Sequence, residues 1–376
     1  MKVRSFLLSA LAASMTFVAC DNNDNEMGQL DNTPKSVSIN LPNVFAGTRS
    51  AGNTIENQSK VALTDLQVFF TDGTNLYNGK TTEGIEAEHY FSTKTDYDNR
   101  EDKVFHFLPH GVNKVIVVGN NGEKLTATTY EGLKKELAID TQQNPSDLDL
   151  YREANLTSVE GEDQFGHPLY KVNVELEPRV SRIEIGSFKY NATAEDVARE
   201  YKSIEVQQVM INNYFAKADL QEGTASDITL EETTAGSIFA LFEKSNGWFS
   251  DKFKETQTPA TELPIVTLDA AVQFEHTYAS ENVRPVYHFF PKNEKIATDN
   301  HPQVLVKMIG EKTDGTKVPL YLIANKFTPA VNQDMARIYV MGFEFDDNDL
   351  QNPQKCVEVT VDVKSWEVVS VRPDFN

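Results

Sequence analysis

Cysteine is almost absent from this chain, which has only Cys20 and Cys356 among its 376 residues. Cys356 alone remains once a leader ending at Cys20 is set aside, and a single thiol can form neither an intramolecular disulfide nor a cysteine-based zinc site. Basic residues are also few, with 35 Lys and Arg against 56 Asp and Glu. Since nucleic-acid binding needs a basic face, no nucleic-acid partner is expected. The fold must therefore be held together by its apolar cores.

Catalytic and metal-binding motifs are missing as well. No G-x-G-x-x-G, P-loop or glycine-flanked nucleophile motif occurs. His106 and His110 would suit a metal only on a helix, whereas their segment is typical of a strand. Asp346–Asp349 lacks the central glycine and distant glutamate of a calcium loop, so a polar turn is expected. Carboxylate pairs such as Glu232 and Glu243 occur in any acidic protein. The sequence predicts no enzyme, no cofactor and no metal site.

The N-terminus has the pattern of a targeting segment. Lys2 and Arg4 precede a largely apolar run that ends at Phe17-Val18-Ala19-Cys20. This ending resembles a bacterial lipobox, in which the cysteine is lipidated and becomes the new N-terminus. We therefore predict a lipoprotein signal peptide over residues 1–20, with lipidation at Cys20. An ordinary secretory signal with an incidental cysteine is the alternative. The apolar run is too short for a membrane-spanning helix.

Residues 21–49 are interpreted as a propeptide that contains the first strand. A polar tether leads into Ser36–Val44, which alternates in the manner of a strand. The side chains predicted on its apolar face are Val37, Ile39 and Leu41. A small-residue linker, Phe45–Asn53, follows and contains one basic residue, Arg49. Such linkers are preferred cleavage sites, and a cut between Arg49 and Ser50 would separate the strand from the rest. The alternative is that Arg49 is a solvated linker residue.

The remainder is typical of an all-β protein. The strands predicted by alternation or by apolar runs are 62–70, 104–108, 112–119, 169–176, 180–188, 203–214, 285–291, 303–310, 317–324 and 336–345. A bulge is expected at Gln207–Gln208, a hairpin turn at Thr313–Thr316, and a short amphipathic helix at Tyr130–Ile139. Ala216–Glu262 is expected to be a long insertion. Because Pro178 interrupts the pattern, we predict two antiparallel β-sandwich domains in tandem with minor helices, at residues 50–178 and 179–376.

The chain ends in two β-prone runs. Val357–Val363 alternates with polar residues and is predicted to join the core of its own domain. The second run carries the apolar residues Val368, Val369, Val371 and Phe375. Trp366 lies between the runs and is predicted to mark the corner. An apolar strand at a chain terminus needs a sheet to join, and this second run is the part expected to reach another molecule.

Two segments give the chain a family resemblance. Val359–Val369 (VTVDVKSWEVV) resembles the terminal strand, Trp turn and strand of the type V fimbrillins of Bacteroidetes, and Glu177–Ile183 (EPRVSRI) is similar to their entry into the second domain. The resemblance implies transthyretin-like sandwiches, export as an outer-membrane lipoprotein precursor, and cleavage after Arg49 by an Arg-specific surface protease. Loss of the first strand would open a groove for the donor strand of another copy. The product would be the shaft of an adhesive surface fimbria, with tip and anchor subunits as further partners.

Two other functions stay open from the sequence. A fimbrial tip or anchor protein would share the sandwiches without donating a C-terminal strand. A glycan-binding surface lipoprotein would keep Cys20 and present an exposed aromatic platform, for which Trp248–Phe249 is the candidate.

Overall fold

Strands account for most of the regular structure. The computed structural model describes residues 32–41, 45–46, 60–144, 147–157, 159–191, 198–229, 237–243, 247–254, 263–278, 284–291, 302–324, 327, 335–351, 358–365 and 367–370. Over these ranges the chain forms 26 strands and three short α-helices, which confirms the predicted all-β fold with minor helices. The described elements all lie within one compact unit, Thr33–Asn376.

Strands occur throughout the described part of the chain. Those up to residue 178 are β1 (Lys35–Asn40), β2 (Phe45–Ala46), β3 (Lys60–Leu63), β4 (Leu66–Thr71), β5 (Leu76–Tyr77), β6 (Tyr90–Phe91), β7 (Val104–Leu108), β8 (Lys114–Gly119), β9 (Glu136–Ala138), β10 (Leu150–Asn155), β11 (Val159–Glu162), β12 (Pro168–Asn173) and β13 (Glu177–Pro178). The later strands are β14 (Ser181–Tyr190), β15 (Tyr201–Asn212), β16 (Tyr214–Asp219), β17 (Ala225–Thr229), β18 (Ser250–Lys252), β19 (Val266–Asp269), β20 (Glu275–Thr277), β21 (Val286–Phe289), β22 (Gln303–Lys312), β23 (Lys317–Ala324), β24 (Arg337–Phe345), β25 (Glu358–Ser365) and β26 (Glu367–Ser370).

The helices are short. The α-helices are α1 (Lys94–Asn99), α2 (Ser237–Phe242) and α3 (Asp347–Gln351), and the 3-10 turns are Glu131–Leu133, Ile139–Gln142 and Ala270–Val272. Among the described residues, no helix is long and apolar enough to cross a membrane. The polar turn predicted at Asp346–Asp349 is the start of α3. There the Asp346 carboxylate accepts hydrogen bonds from the backbone N–H groups of Asn348 and Asp349, at 2.8 and 3.2 Å.

The described strands form six sheets. Their orders are β11-β12-β1-β7, β13-β10-β8-β4-β5 with β6 on β4, β20-β14-β24-β25 with β21 on β14, β18-β15-β22-β23 with β19 on β15, β17-β16-β9, and β2-β26-β3. Most pairs are antiparallel, as predicted, but β1 runs parallel to β12, β14 runs parallel to β24, and β26 runs parallel to β2 and β3. Parallel neighbours cannot be joined by a tight turn, and the chain crosses over between them.

Several local predictions are confirmed by the register of the sheets. The ladder between β15 and β22 shifts between Val206 and Gln208. The shift explains why the β15 side chains in the second cluster change from even numbers (Ile204, Val206) to odd numbers (Val209, Ile211), because a bulge reverses the side-chain alternation. Strands β22 and β23 form a hairpin, with Gly315 at φ +87° in its turn. A positive φ favours glycine, which is why Asp-Gly predicts a hairpin at this point.

The helix predicted at Tyr130–Ile139 is wrong. A 3-10 turn at Glu131–Leu133 leads into the short strand β9, which pairs antiparallel with β16. Leu133 and Leu137 are both buried, so their four-residue spacing correctly indicates burial. Leu137 is buried through sheet pairing, however, and this tertiary contact overrides the local helical pattern.

The buried apolar side chains form two large clusters. The first draws mainly on β1, β4, β7, β8 and β10, and the second on β14, β15, β22 and β24. Phe215 and Ala225, from β16 and β17, join the first cluster even though they follow residue 178. Strands from both sides of that residue therefore share a core and, through β9 and β16, a sheet. The boundary at residue 178 stays a prediction.

Candidate assembly site

Strand β1 occupies an interior position in its sheet although it is the first strand of the described residues. It runs parallel to β12, from Ser36 opposite Leu169 to Asn40 opposite Asn173. Its other edge pairs antiparallel with β7. Removal of β1 would therefore leave two unpaired strand edges facing each other across a strand-wide groove.

The apolar face of β1 is part of the first core. Val37, Ile39 and Leu41 are 0%, 6% and 8% exposed, and all three belong to the first cluster. This confirms that the three side chains share one buried face. At about 1.5–3 kcal/mol for each buried aliphatic side chain, the three contribute roughly 5–9 kcal/mol to holding β1 in place.

The opposite face of β1 carries a buried polar contact. Ser36 is fully buried, although alternation places it away from the core. Its hydroxyl donates a hydrogen bond to Oδ2 of Asp163 at 2.6 Å, and Nδ1 of His106 lies 2.7 Å from the same oxygen. Because a carboxylate can only accept, Nδ1 of His106 carries the proton of this second bond. We name these three residues, Ser36, His106 and Asp163, the polar socket.

The loop between β11 and β12 covers the polar socket. Oδ1 of Asp163 accepts hydrogen bonds from the backbone N–H groups of Phe165 and His167, at 2.9 and 2.8 Å, which fold the loop over its own carboxylate. The Phe165 ring packs 5.4 Å from the His106 ring and 4.8 Å from the Phe107 ring. These contacts leave the Asp163 side chain 2% exposed.

The Asp163 carboxyl is held in its ionised form. Burial alone would raise its pKa, but the hydrogen bond from the Ser36 hydroxyl and the three other bonds outweigh burial. They hold the pKa well below its ordinary value of 3.8. On the far side of the His106 ring, Nε2 lies 3.5 Å from Oδ1 of Asp102. Loss of Ser36 would leave a buried carboxylate one donor short.

A β-bulge in β7 lies opposite Ser36. Lys35 pairs with Leu108 and Val37 with Phe105, so His106 and Phe107 together face the single residue between them. Phe107 has a φ of +55°, in the left-handed region that bulky residues rarely adopt. The backbone of His106 instead exchanges two hydrogen bonds with Lys80, at 2.8 Å each. A bulge fixes the register of its partner strand, because a slip by one residue would misalign every pair beyond it.

The far end of β1 is held by backbone contacts. The hydroxyl of buried Tyr97 donates to the carbonyl of Ile39 at 2.9 Å. The carbonyl of Asn40 accepts a hydrogen bond from the backbone N–H of Val174 at 2.9 Å. The β1–β7 register ends earlier, at Ser38 opposite Val104.

The C-terminal runs lie in two different sheets. Strand β25 pairs antiparallel with β24 from Glu358 opposite Glu344 to Ser365 opposite Arg337. Its Val359 and Val361 are buried in the second core, as predicted for the first run. Strand β26 lies parallel to β3 and β2 of the same chain, with Val368 opposite Val61 and Val369 opposite Ala62. The prediction that this run reaches another copy stays a prediction.

Several predicted site residues fall outside the described residues. These are Cys20, Arg49, Ser50, Val371 and Phe375. Among the residues that the structure does describe, no three His, Cys, Asp or Glu side chains form a group that could hold a metal ion. His106 lies in the polar socket, and His110 is exposed on the turn after β7.

The aromatic platform considered for a glycan-binding protein is not an open surface. Trp248 and Phe249 are half-buried, and the Trp248 ring packs 4.8 Å from the ring of Tyr214. Trp248 also packs against both large clusters.

Sequence reasoning missed the polar socket. Its members are separated by 57 to 127 residues along the chain, and alternation places Ser36 toward solvent. The available signal was limited to a histidine within a strand and an Asp-x-x-Gly turn. Neither pattern indicates that the two residues meet.

Comparison with known proteins shows the fold. No protein-family model matches the chain, and no curated protein matches it. Among solved structures, it is similar to a candidate cell adhesion protein from Parabacteroides distasonis, with a TM-score of 0.51 and 15% identity over 90% of this chain and 98% of that one. It is also similar to a fimbrilin from Porphyromonas gingivalis (TM-score 0.48, 10% identity, 90% and 99% covered). A third similar structure is the fimbrial anchor protein Mfa2 of the same organism (TM-score 0.32, 10% identity, 89% and 98% covered).

These neighbours are fimbrial and cell adhesion proteins of Bacteroidetes, the group to which the sequence resemblance points. At such low identity the likeness establishes the fold alone. The first comparison confirms the predicted all-β fold over nine-tenths of the chain.

Proposed function

We propose that this chain is a structural subunit of a cell-surface fimbria that polymerises by exchanging one β-strand between copies. It is exported as a lipoprotein held in the outer membrane through Cys20. An Arg-specific protease cuts between Arg49 and Ser50, and β1 leaves. The C-terminal strand of another copy then fills the vacated groove, and repetition of this head-to-tail contact gives an open filament.

The position of β1 is the observation that carries this proposal. The strand is paired on both edges and contributes three side chains to the core, yet it is the first strand in the part of the chain that the structure describes. Arg49 lies between the end of β1 at Asn40 and the start of β3 at Lys60. A single cut at Arg49 would therefore sever β1 and β2 covalently from the rest and leave every strand from β3 onward in one piece.

The electrostatics of the chain also support strand exchange. Residues 1–49 contain four Lys or Arg and four Asp or Glu, so cleavage leaves the net charge at −21. Copies with this charge repel each other at long range. Backbone pairing and apolar burial, which the vacated groove offers, would oppose this repulsion.

A tip or anchor subunit is the second candidate function. It is favoured by the pairing of β26 with β3 of the same chain. A C-terminal strand that is already paired within its own chain has less need of a neighbour. Such a subunit would receive a strand and would not donate one.

Substitution of Arg49 tests the proposal. Arg49→Ala should remain uncleaved and form no filaments, because β1 stays attached. Arg49→Lys is the matched variant, and it should resist an Arg-specific protease. Trypsin also cuts after lysine, so treatment of this variant with trypsin should restore both a mature N-terminus at Ser50 and filaments. Normal filaments from Arg49→Ala would contradict the proposal.

Truncation separates the two candidate functions. Deletion of residues 368–376 should leave a folded, cleavable chain that no longer polymerises by itself. If the intact, cleaved chain also fails to polymerise but binds one copy of a shaft subunit, the tip or anchor function is the correct one.

A further inference from the structure

The polar socket imposes a chemical requirement on any strand that occupies the β1 position. Asp163 is buried and ionised, and one of its four hydrogen bonds comes from the Ser36 hydroxyl of β1 itself. An occupant without a donor at this point would leave that buried charge short of a partner. Such a deficit is unfavourable by about 1–3 kcal/mol, which corresponds to a roughly 5- to 150-fold weaker association.

The C-terminus of the chain contains a segment with the same order of side chains as β1. Ser36–Leu41 reads SVSINL, and Ser370–Phe375 reads SVRPDF. Each begins with serine and continues with apolar residues at alternate positions. In this alignment Val371, Pro373 and Phe375 take the places of Val37, Ile39 and Leu41, and Val369 falls at the position of Lys35.

A second serine in the same region does not satisfy the pattern. If Ser365 took the place of Ser36, then Trp366, Val368 and Ser370 would take the places of Val37, Ile39 and Leu41. That register would put a hydroxyl at the core position of Leu41, where an apolar side chain is needed. Only the register that begins at Ser370 supplies a hydroxyl to the polar socket and apolar side chains to the core.

Pro373 is compatible with this register. The Asn40 carbonyl bonds toward β12, through Val174, so the polar groups of Ile39 point to the other edge of the strand. On that edge the ladder with β7 has already ended at Ser38. A proline at the position of Ile39 therefore removes no ladder hydrogen bond, and it keeps the carbonyl that accepts from Tyr97.

We propose that the polar socket sets the register of strand exchange, with Ser370 of an incoming copy replacing Ser36 as the hydroxyl donor to Asp163. This inference rests on the proposed function and adds a specificity-determining residue to it. The bulge at His106 and Phe107 and the buried carboxylate together select one residue of the donor strand. Strands that lack a hydroxyl at that point bind less tightly.

Two substitutions in the full-length chain test the proposal in a crossed design. Ser36→Ala should lower the denaturant midpoint of the uncleaved precursor. It should leave filaments unchanged, because Ser36 departs with β1. Ser370→Ala should leave the precursor unchanged and increase the rate at which isolated filaments lose subunits, by about 5- to 150-fold. Ser370→Thr, which keeps the hydroxyl, should restore the wild-type rate, and Asp374→Ala, at the exposed position of Asn40, serves as the matched control.

A double substitution distinguishes loss of the hydrogen bond to Asp163 from a general loss of packing. In chains that also carry Asp163→Ala, Ser370→Ala should have little further effect on filament dissociation. Subunit loss from Ser370→Ala filaments at the wild-type rate would overturn the proposal. So would an equal defect in Ser370→Thr, or a defect of Ser370→Ala confined to the precursor. A wild-type chain that forms no filaments after cleavage would overturn strand exchange itself, and the register with it.

Discussion

Cleavage at Arg49 should not by itself release β1. The strand remains held by Val37, Ile39 and Leu41 in the core, by two strand edges and by Asp163. The three apolar side chains alone contribute roughly 5–9 kcal/mol. We therefore expect the cut N-terminal fragment to stay bound to the body of the protein, so that strand release, and not proteolysis, limits the rate of assembly.

Ile39→Ala tests this expectation. Ile39 is 6% exposed, and truncation of a buried isoleucine to alanine destabilises by about 2–5 kcal/mol. If the contact is lost before the transition state for release, the fragment should leave at least about 30-fold faster. Asn40→Ala is the matched control, because its side chain lies on the exposed side of the same strand.

The assay follows the fragment after cleavage at high dilution, where copies seldom meet. Native size-exclusion chromatography at increasing times separates bound fragment from free fragment, and a denaturing gel of each fraction identifies it. The reasoning would be refuted if the wild-type fragment separated as soon as the chain was cut. It would also be refuted if Ile39→Ala released the fragment no faster than Asn40→Ala.

Two further predictions concern buried charges. Glu184 is the counter-ion of both Arg182, at 2.7 Å, and Arg284, and all three side chains are buried. Glu184→Gln should therefore lower the free energy of unfolding by about 3–5 kcal/mol, because it leaves two buried cations without a counter-ion. Burial raises the pKa of Asp251 from 3.8 to about 6, so between these values the folded state holds more protons than the unfolded state. The wild-type protein therefore loses stability as the pH rises through this window. Asp251→Asn should be more stable than wild type by about 1–3 kcal/mol at neutral pH, and this difference should vanish below the window.

Denaturant titrations measure both effects. The control for Glu184 is Glu177→Gln, which breaks an exposed pair with Arg152 and should change the unfolding free energy by less than about 1 kcal/mol. Equal losses from the two substitutions would contradict the account of the buried cluster. For Asp251, a difference between variant and wild type that does not change with pH would show that the carboxyl titrates normally in the folded state.

The strands were predictable because alternation reports burial directly. Strand β7 has the predicted bounds, Val104–Leu108, and the change of parity along β15 correctly indicates its bulge. The apolar half of the candidate site was equally accessible, since Val37, Ile39 and Leu41 lie on one face of one strand. These features depend on residues that are close together in the chain.

The polar half of the site could not be predicted because its residues are far apart in the chain. Ser36 is buried only because the loop at Asp163, 127 residues away, folds across the outer face of the sheet. Nothing in the local pattern distinguishes this serine from Ser38, which occupies the same face and is only half-buried. The parallel pairing of β1 with β12 is likewise set by the path of the chain in three dimensions.

The pairing of β25 has a mechanical consequence for a filament of such subunits. Strand β25 is paired with β24 over eight successive residues, Glu358–Ser365. A force along the strands shears all the pairs at once, whereas a force across the strands would unzip them one after another. The ladder between β24 and β25 would therefore resist a pull along the strands more strongly than a pull across them.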